Sequence, residues 1–256
     1  RDEGAVSRAI KGAVAVIHLA ASVGNKRSID NPILDSEINV IGTLRILEAC
    51  RKASVPKVVY SSSAGVFGEL KQLPIAEDHP IDPNTPYGAS KLAGEKLCLA
   101  YAHLYNIEAI CLRYFNVYGP NQRFDEYGNV IPIFTFKLLR GESPTVFGDG
   151  EQTRDFVNVH DVAKANLKAL KAVGISGAFN IASGTSITIN RLVNLLKEIS
   201  GLNLPINYSP PRSGDVKDSL ADISAVNKAL GYEPSMTIEN GLTEYIAWAK
   251  KEVSSE

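Results

Sequence analysis

Short apolar segments alternate with stretches of helical periodicity over the first half of the chain. Residues 14–21, 57–60 and 109–114 are largely apolar and rich in β-branched side chains, which is typical of strands buried on both faces of a parallel sheet. Between them, residues 39–52 and 87–105 have apolar positions at helical spacing. Strand, helix, strand, helix, strand at this spacing predicts βαβ crossovers, and therefore an α/β fold with a parallel sheet.

The pattern loosens after Pro120, and the second half is predicted to be a smaller, mixed α/β lobe. Helices are predicted over 131–140, 161–172, 189–200 and 238–250, a strand over 178–181, a turn over 148–153, and loop or short strand over 208–222. We therefore expect two domains, one covering 1–120 and the other mainly 121–256, with segments around 154–182 returning to the first.

The composition narrows the class of protein. Hydrophobic residues make up 45% and charged residues 21% of the 256 positions, as in an ordinary globular protein. The net charge of -1 argues against a surface for nucleic acid or for acidic membranes. Cys50, Cys98 and Cys111 lack metal-ligand spacing, so we expect buried reduced thiols in a cytoplasmic enzyme without a metal site. No apolar run approaches the length of a membrane span.

A tyrosine and a lysine at helical spacing form the candidate proton-transfer group. Tyr87 is the one tyrosine of 10 that has a lysine, Lys91, four residues later. A phenol holds its proton near pH 10, but a cation one helical turn away lies on the same face and stabilises the phenolate. The serines at 61–63 could hold the reacting oxygen. This set predicts hydride transfer at a carbinol carbon if a nicotinamide lies beside it.

The strongest chemical signals follow three predicted strands. Ala20 and Ala21 end the first strand, the serines at 61–63 end the second, and Tyr114 and Asn116 end the third. Ligands of open α/β sheets bind outside the carboxyl ends of the strands. We therefore expect these segments to converge on one crevice.

Six motifs in register resemble the extended short-chain dehydrogenase/reductases, specifically the NAD-dependent nucleotide-sugar epimerases and dehydratases. The motifs are HLAA at 18–21, NVIGT at 39–43, SSSAGVFG at 61–68, PYGASK at 86–91, RYFNVYGP at 113–120 and RDFVNVHDVA at 154–163. The similarity extends over nearly the whole chain, to about residue 250. It implies a Rossmann-like, doubly wound NAD-binding domain followed by a substrate-binding lobe.

The resemblance also implies roles for individual residues. Tyr87 would be the general base for a sugar hydroxyl, Lys91 would hold the nicotinamide ribose and lower the pKa of Tyr87, and Ser63 would bind the oxygen that becomes the ketone. The implied NAD-binding residues are Leu19, Ala20, Ala21, Asn39, Ser61, Ser62, Tyr87, Lys91 and Tyr114. The implied substrate-binding residues are Ser63, Asn116, Asn129, Val130, Phe147, Arg154, Arg212, Asp215 and Ser219. Arg154 and Arg212 are expected to clamp the diphosphate, because guanidinium forks match phosphate oxygens.

Two positions indicate the subtype within this family. Dehydratases have an acidic pair directly after the catalytic serine or threonine, whereas Ala64 and Gly65 stand there in this chain. The resemblance therefore favours NAD-dependent 4-epimerisation of UDP-glucose and UDP-galactose through a 4-keto intermediate. Ser219 falls where a bulky tyrosine restricts related enzymes to sugars without an acetamido group, so we expect the N-acetylated pair to be accepted as well.

Other interpretations stay open from the sequence. The chain could be another nucleotide-sugar enzyme, such as a 4,6-dehydratase, decarboxylase or reductase, or a non-catalytic nucleotide-sugar-binding remnant. His18 is better explained as a hydrogen-bonded core histidine than as a base. Asn39 could be a helix N-cap, and Arg154 with Asp155 could be a surface ion pair. The resemblance further implies a homodimer through a four-helix bundle built from the helices at 39–52 and 87–105.

One family feature does not occur in the sequence. No glycine-rich phosphate loop opens a strand-to-helix turn, and Gly148-Asp149-Gly150 lacks the third glycine. The segment 14–21 matches the fourth strand of the family's fold, so we expect roughly 60 residues of that fold, two βα units and a strand, to be missing. We therefore expect the chain to be part of a longer protein.

Overall fold

The computed structural model of the protein describes residues 1–122, 124, 129–211 and 216–255. Its strands are β1 (Val16–His18), β2 (Lys57–Ser63), β3 (Glu108–Tyr114), β4 (Asn116–Tyr118), β5 (Thr145–Phe147), β6 (Thr153–Arg154), β7 (Phe156–Asn158), β8 (Gly177–Ile181), β9 (Ile187–Thr188) and β10 (Asn207–Ser209). Its helices are α1 (Glu3–Ile10), α2 (Asn25–Asp30), α3 (Pro32–Ser36), α4 (Gly42–Lys52), α5 (Pro86–Leu104), α6 (Val130–Leu139), α7 (Val159–Lys171), α8 (Ile189–Ser200), α9 (Ser224–Leu230) and α10 (Ile238–Ser254). A π-helical turn (Glu37–Ile41) precedes α4, and a 3₁₀ turn (Ala64–Val66) follows β2.

The chain divides into two compact units. The first consists of Arg1–Phe115, Ala163–Ile181 and Asp222–Glu233, and the second of Asn116–Val162, Ala182–Ala221 and Pro234–Glu256. The domain boundary expected at 120 thus lies near the division after Phe115. Asp222–Glu233 also belongs to the first unit, which the sequence pattern did not indicate.

The first unit contains a parallel sheet with the strand order β1-β2-β3-β8. Its register pairs Ile17 with Val59, and Val59 in turn with Ile110. The prediction of a parallel α/β sheet is therefore confirmed. The first strand spans Val16–His18 and is shorter than the predicted segment 14–21. Val14 before it is 83% exposed, and Leu19 directly after it is 58% exposed.

Apolar side chains of α4 and α5 pack on this sheet. Leu47 from α4 and Cys98 from α5 join Val58 of β2 in one buried cluster. Helix α5 begins at Pro86 because Thr85 is its N-cap, accepting a hydrogen bond from the backbone N–H of Gly88. The start of α5 is therefore fixed beside the carboxyl end of β2.

The second unit has a separate core formed by α6, α8 and α10. Large buried members include Phe134, Leu196 and Tyr245. Short strand pairs accompany the helices: β4 with β7 and β5 with β10 are parallel, while β6 with β9 is antiparallel. The mixed α/β character predicted for the second half agrees with this arrangement. Within the described part of the chain, no helix has the length and apolar content needed to cross a membrane.

Candidate active site

Ser63, Tyr87 and Lys91 lie together at the carboxyl end of β2 in the first unit. Ser63 is the last residue of β2, and Tyr87 and Lys91 lie in the first two turns of α5. The Ser63 hydroxyl lies close enough to the Tyr87 phenol to lower its pKa. The hydroxyl of Ser63 also accepts a hydrogen bond from the backbone N–H of Gly65 at 3.1 Å. The structure therefore brings the predicted serine and the predicted general base close together.

Gly88 is needed for this close approach, whereas a Cβ on Gly65 would make only ordinary van der Waals contacts. A Cβ atom on Gly88 would lie 2.4 Å from the carbonyl oxygen of Gly65, which real side chains do not tolerate. A Cβ on Gly65 would lie 3.4 Å from Oγ of Ser63 and 3.6 Å from the ring of Tyr87. No structural role was predicted for Gly88 from the sequence, although its position directly after Tyr87 is a usable signal.

The electrostatic setting of Tyr87 differs from the expectation. Burial raises the pKa of Tyr87, the hydrogen bond from Ser63 lowers it, and the carboxylate of Asp35 raises it again. The sequence analysis expected Lys91 to lower the pKa of this phenol, but burial outweighs any such effect here. The chain alone therefore favours the neutral phenol.

Lys91 is a buried cation without a carboxylate bonded to it. The residue is 2% exposed, and its Nζ lies 4.5 Å from the centre of the Tyr60 ring. Burial lowers the pKa of Lys91 to about 8. No hydrogen bond from Nζ to another described residue is formed. The three ammonium donors are thus available to a ligand with hydroxyl acceptors, which fits the ribose of a nicotinamide nucleotide.

The three serines of β2 alternate between the two faces of the sheet. Ser61 bonds the side chain of Tyr114, whose hydroxyl is in turn 3.0 Å from Oδ1 of Asn166. Ser62 points the other way, and its hydroxyl donates to the carboxylate of Glu95 at 2.7 Å. A contact from Ser62 to a cofactor would therefore use its backbone, whereas Ser61 shares the face of Ser63.

Glu95 and Arg113 form a buried ion pair below the serine segment. Arg113 donates from Nε to Oε2 of Glu95 at 3.0 Å and from Nη2 to Oε1 at 2.8 Å, and a third hydrogen bond joins its Nη1 to the carbonyl of Glu77. Both side chains are at most 4% exposed. The sequence analysis missed this pair, although Glu95 follows Lys91 by one helical turn.

Asn39 connects the loop after β1 to α5. Its side chain accepts a hydrogen bond from the backbone N–H of Ser22 and donates to the carbonyl of Ser22, to Asp35 and to Ser90. Ser90 donates to the buried carboxylate of Asp35 at 2.6 Å. Since Asn39 lies inside the π-helical turn and makes these contacts, the N-cap interpretation is wrong. Asp35, four residues before Asn39, was not singled out from the sequence.

His18 ends β1 as a buried, hydrogen-bonded histidine, as the sequence indicated. Its Nε2 lies 3.0 Å from Oγ1 of Thr43. The pKa of His18 is lowered to about 4, mainly by burial and to a smaller extent by the positive charge of the nearby Lys91. The next residues, Leu19 and Ala20, are exposed. They directly follow the carboxyl end of β1, where the sequence predicts cofactor contacts, and Ala21 is half-buried.

The predicted substrate residues belong to the second unit, apart from Ser63. Asn116 donates from its side chain to the carbonyl of Asp155 at 3.0 Å. Arg154 donates from Nη1 to the carbonyl of Thr153 at 2.7 Å. The carboxylate of Asp155 is buried and accepts hydrogen bonds from both groups of Ser183, its N–H and its hydroxyl, so it holds the loop after β8.

Three of the remaining predicted substrate residues lie at the ends of helices or strands. Asn129 is the residue before α6 and Val130 its first residue, so both lie at a helix N-terminus. Phe147 ends β5, and Ser219 is 8% exposed with its N–H 3.4 Å from Oγ1 of Thr153. Arg212 and Asp215 lie outside the described residues.

Comparison with known proteins agrees with this arrangement. A sequence model of the NAD dependent epimerase/dehydratase family matches residues 1–182. A putative UDP-glucose 4-epimerase of Methanocaldococcus jannaschii is 43% identical over 241 residues, which cover 94% of this chain and 78% of that protein.

Solved structures of related enzymes superpose closely. UDP-glucose 4-epimerase of Thermotoga maritima with UDP-glucose gives a TM-score of 0.94 at 39% identity, covering 98% of this chain and 82% of that one. UDP-N-acetylglucosamine 4-epimerase of Methanobrevibacter ruminantium, in complex with UDP-N-acetylmuramic acid, gives 0.93 at 35% identity, covering 98% and 80%. UDP-glucose 4-epimerase of Thermus thermophilus in complex with NAD gives 0.87 at 33% identity, covering 97% and 82%.

The resemblance inferred from the six motifs is confirmed by the family match and by these structures. The buried donors of Lys91 and the Ser63–Tyr87 contact are consistent with a nicotinamide cofactor. The chain belongs to the NAD-dependent epimerase/dehydratase family, and its cofactor is NAD.

Proposed function

We propose that the protein interconverts the two C4 epimers of a UDP-sugar, with UDP-glucose and UDP-galactose as the principal pair. The observation that supports this most directly is the placement of Ser63 at the end of β2 beside Tyr87, with the Lys91 ammonium one helical turn further along α5. The printed names of the similar enzymes support the same activity.

Each of the three side chains has a distinct task. Bound NAD supplies the hydride acceptor and returns the hydride. Ser63 donates a hydrogen bond to the C4 oxygen of the sugar, and Tyr87 accepts the proton of that hydroxyl as general base. Lys91 binds the ribose hydroxyls and its positive charge favours the phenolate of Tyr87. The same groups act in reverse after the 4-keto sugar has turned over.

The residues after Ser63 favour this cycle over dehydration. Elimination of water from the sugar needs an acidic and a basic side chain of the protein that act on neighbouring ring carbons. Ala64 and Gly65 supply neither. Epimerisation is therefore favoured over a 4,6-dehydratase reaction.

Product analysis tests the activity. The protein is incubated with NAD and UDP-galactose, and the sugar is identified by proton NMR. We expect UDP-glucose to accumulate to equilibrium, and Tyr87→Phe to lower the rate on the order of 10²–10⁴-fold, the contribution of general base catalysis. A keto-deoxy sugar as product, or a Tyr87→Phe variant with full activity, would contradict the proposal.

We further propose that UDP-N-acetylglucosamine and UDP-N-acetylgalactosamine are also substrates. Ser219 is a small residue at the position that the resemblance assigns to sugar selection, and a similar solved enzyme is named for the acetamido sugar. We expect kcat/KM for the two sugar pairs to be of the same order in the wild type. Ser219→Tyr should lower it for the acetamido pair alone, and equal loss for both pairs would refute this assignment.

We also propose a homodimer in which α4 and α5 of two copies form a four-helix bundle. The two helices lie side by side, joined by the Tyr101 hydroxyl and Glu48 Oε1 at 2.6 Å. Ile41, which precedes α4, is 45% exposed. We expect light scattering to give twice the mass of the chain for the wild type and a shift toward the monomer for Ile41→Glu, with Ile33→Glu, outside both helices, as the control.

The expected cytoplasmic location is likewise a proposal. Cys50, Cys98 and Cys111 are buried free thiols, as expected in a reducing compartment. Fractionation of cells with a specific antibody tests this, and recovery in an extracytoplasmic fraction would overturn it.

A further inference from the structure

The ammonium of Lys91 needs stabilisation that no bonded carboxylate provides. The residue is 2% exposed, and taking a charge out of water is expensive unless something replaces the water. One stabilising group is the ring of Tyr60, whose centre is 4.5 Å from Nζ. An ammonium at this distance over an aromatic face is attracted by the ring quadrupole, and the attraction is strongest where both groups are desolvated.

We propose that Tyr60 is a positioning residue, whose ring face holds the Lys91 ammonium in place and keeps it charged within the protein interior. This inference rests on the proposed function for the task of Lys91, but the contact itself is a property of the chain. Tyr60 precedes the serine segment on β2, so the strand that ends in Ser63 also supports the lysine.

The ring of Tyr60 is held rigidly enough for this task. The residue is 1% exposed, and its side chain hydrogen-bonds that of Thr43. Its hydroxyl lies 3.4 Å from the carbonyl oxygen of Lys91. Gly94, one turn further along α5, leaves room for it, since a Cβ there would come 2.3 Å from the hydroxyl. The helix and the ring are therefore packed against each other around the lysine.

The other titratable groups around Lys91 come from four elements. Asp35 on α3 is the nearby carboxylate, and it opposes the lowering of the lysine pKa by burial. His18 on β1 has a pKa near 4 and adds no negative charge at neutral pH. The thiols of Cys98 on α5 and Cys111 on β3 also face the lysine. Burial raises the pKa of Cys111, so that thiol is neutral.

Tyr87, on the same helix, is the remaining titratable neighbour. Its pKa is raised by burial, so it is also neutral in the chain alone. The Asp35 carboxylate and the Tyr60 ring thus both favour the charged lysine, and the centre of the ring lies 4.5 Å from Nζ.

The test measures the titration of Lys91 itself. Protein with carbon-13 at the lysine Cε is titrated by NMR, and the Lys91 signal is assigned by its absence in Lys91→Met. At position 60, phenylalanine and its mono-, di- and trifluorinated analogues are compared, because fluorine withdraws charge from the ring face while its shape is largely kept. We expect the Lys91 pKa to stay near the wild-type value with phenylalanine and to fall stepwise with fluorination, by about one unit in total.

Tyr60→Leu provides a second variant, in which the quadrupole is removed altogether. We expect the Lys91 pKa to fall at least as far as with the trifluorinated ring, and NAD to bind at least about fivefold more weakly at pH 8 by titration calorimetry. A Lys91 pKa that is unaffected by fluorination overturns the proposal. Because the NMR titration needs no turnover, a protein without epimerase activity would refute the proposed function and leave this result unchanged.

Discussion

Two buried cations in the first unit differ in what surrounds them. Arg113 is held by a two-point hydrogen bond to Glu95 and by the Glu77 carbonyl. Lys91, one helical turn before Glu95, forms no hydrogen bond from Nζ to any other described residue and rests on the Tyr60 ring. A buried charge without a partner costs stability, whereas a paired one is compensated by its partner. The Arg113–Glu95 pair is thus internally satisfied, while the Lys91 donors remain available to a ligand.

Removing Arg113 should have the largest effect on stability. In Arg113→Met the carboxylate of Glu95 stays buried without its partner, which typically costs about 3–5 kcal/mol. Urea unfolding followed by circular dichroism measures the loss. The double variant Glu95→Gln/Arg113→Met should recover much of it, because no buried charge is left. A double variant as unstable as Arg113→Met would show that packing, and not the unpaired charge, is responsible.

His18 extends the comparison to a buried base that stays neutral. Its pKa is about 4 in the folded protein against an ordinary value near 6.5, so the unfolded chain binds more protons between these two pH values. Stability contributed by the neutral ring is therefore complete above pH 6.5 and is lost as the pH falls toward 4. The expected loss is about 3 kcal/mol.

The measurement is urea unfolding across this pH range. His18→Asn should flatten the dependence, since the side chain no longer titrates. An equally steep loss in that variant would assign the acid sensitivity to other groups. Glu77 would not be one of them, because burial raises the pKa of its carboxyl and therefore favours the folded state as the pH falls.

Replacing Lys91 should change stability in the opposite direction to replacing Arg113. Burial lowers the pKa of Lys91 to about 8, from an ordinary 10.5, so the wild type gains stability as the pH rises from 8 to 10.5. Lys91→Met removes the buried charge and should stabilise the protein at pH 7 by about 1–3 kcal/mol. The same variant should bind NAD more weakly by calorimetry. Destabilisation by Lys91→Met would mean that its charge is well compensated in the empty protein.

The helices and strands that contain the motifs could be predicted from the sequence. A lysine at i+4 from Tyr87 and a proline before it are local signals, and the apolar strand ending in serines reads directly as part of a parallel sheet. Helix α5 was predicted over 87–105 and spans Pro86–Leu104. The predicted parallel sheet follows from the same local patterns.

Short helices, and hydrogen bonds between residues far apart in the sequence, could not be predicted from such local patterns. No element was predicted for the segment between β1 and residue 39, yet it contains α2 and α3, which are too short for periodicity to stand out. The bond between Ser90 and Asp35 joins residues 55 positions apart, and that between Arg113 and Glu95 joins residues 18 apart. Neither spacing is a pattern that a single sequence reveals, because only the fold brings these residues together.

An exposed ion pair offers the closest control for the buried one and should show the smallest effect. Arg51 donates from Nε and from Nη2 to the two carboxylate oxygens of Glu48, each at 2.9 Å, so the fork resembles that between Arg113 and Glu95. The side chains of Arg51 and Glu48 are 41% and 33% exposed, however. Water already solvates both partners and the Tyr101 hydroxyl still donates to Glu48, so removing Arg51 should cost less than about 1 kcal/mol.

Arg51→Met and Arg113→Met are therefore compared by urea unfolding at low and high salt. The small loss in Arg51→Met should shrink further with salt, because exposed charges are screened, while the loss in Arg113→Met should persist. Equal losses in the two variants would show that the geometry of the fork, and not its burial, sets its contribution. A much larger loss in Arg113→Met would mean that burial makes an unpaired carboxylate costly, and by the same argument the buried Lys91 ammonium has to be stabilised by the Tyr60 ring and Asp35.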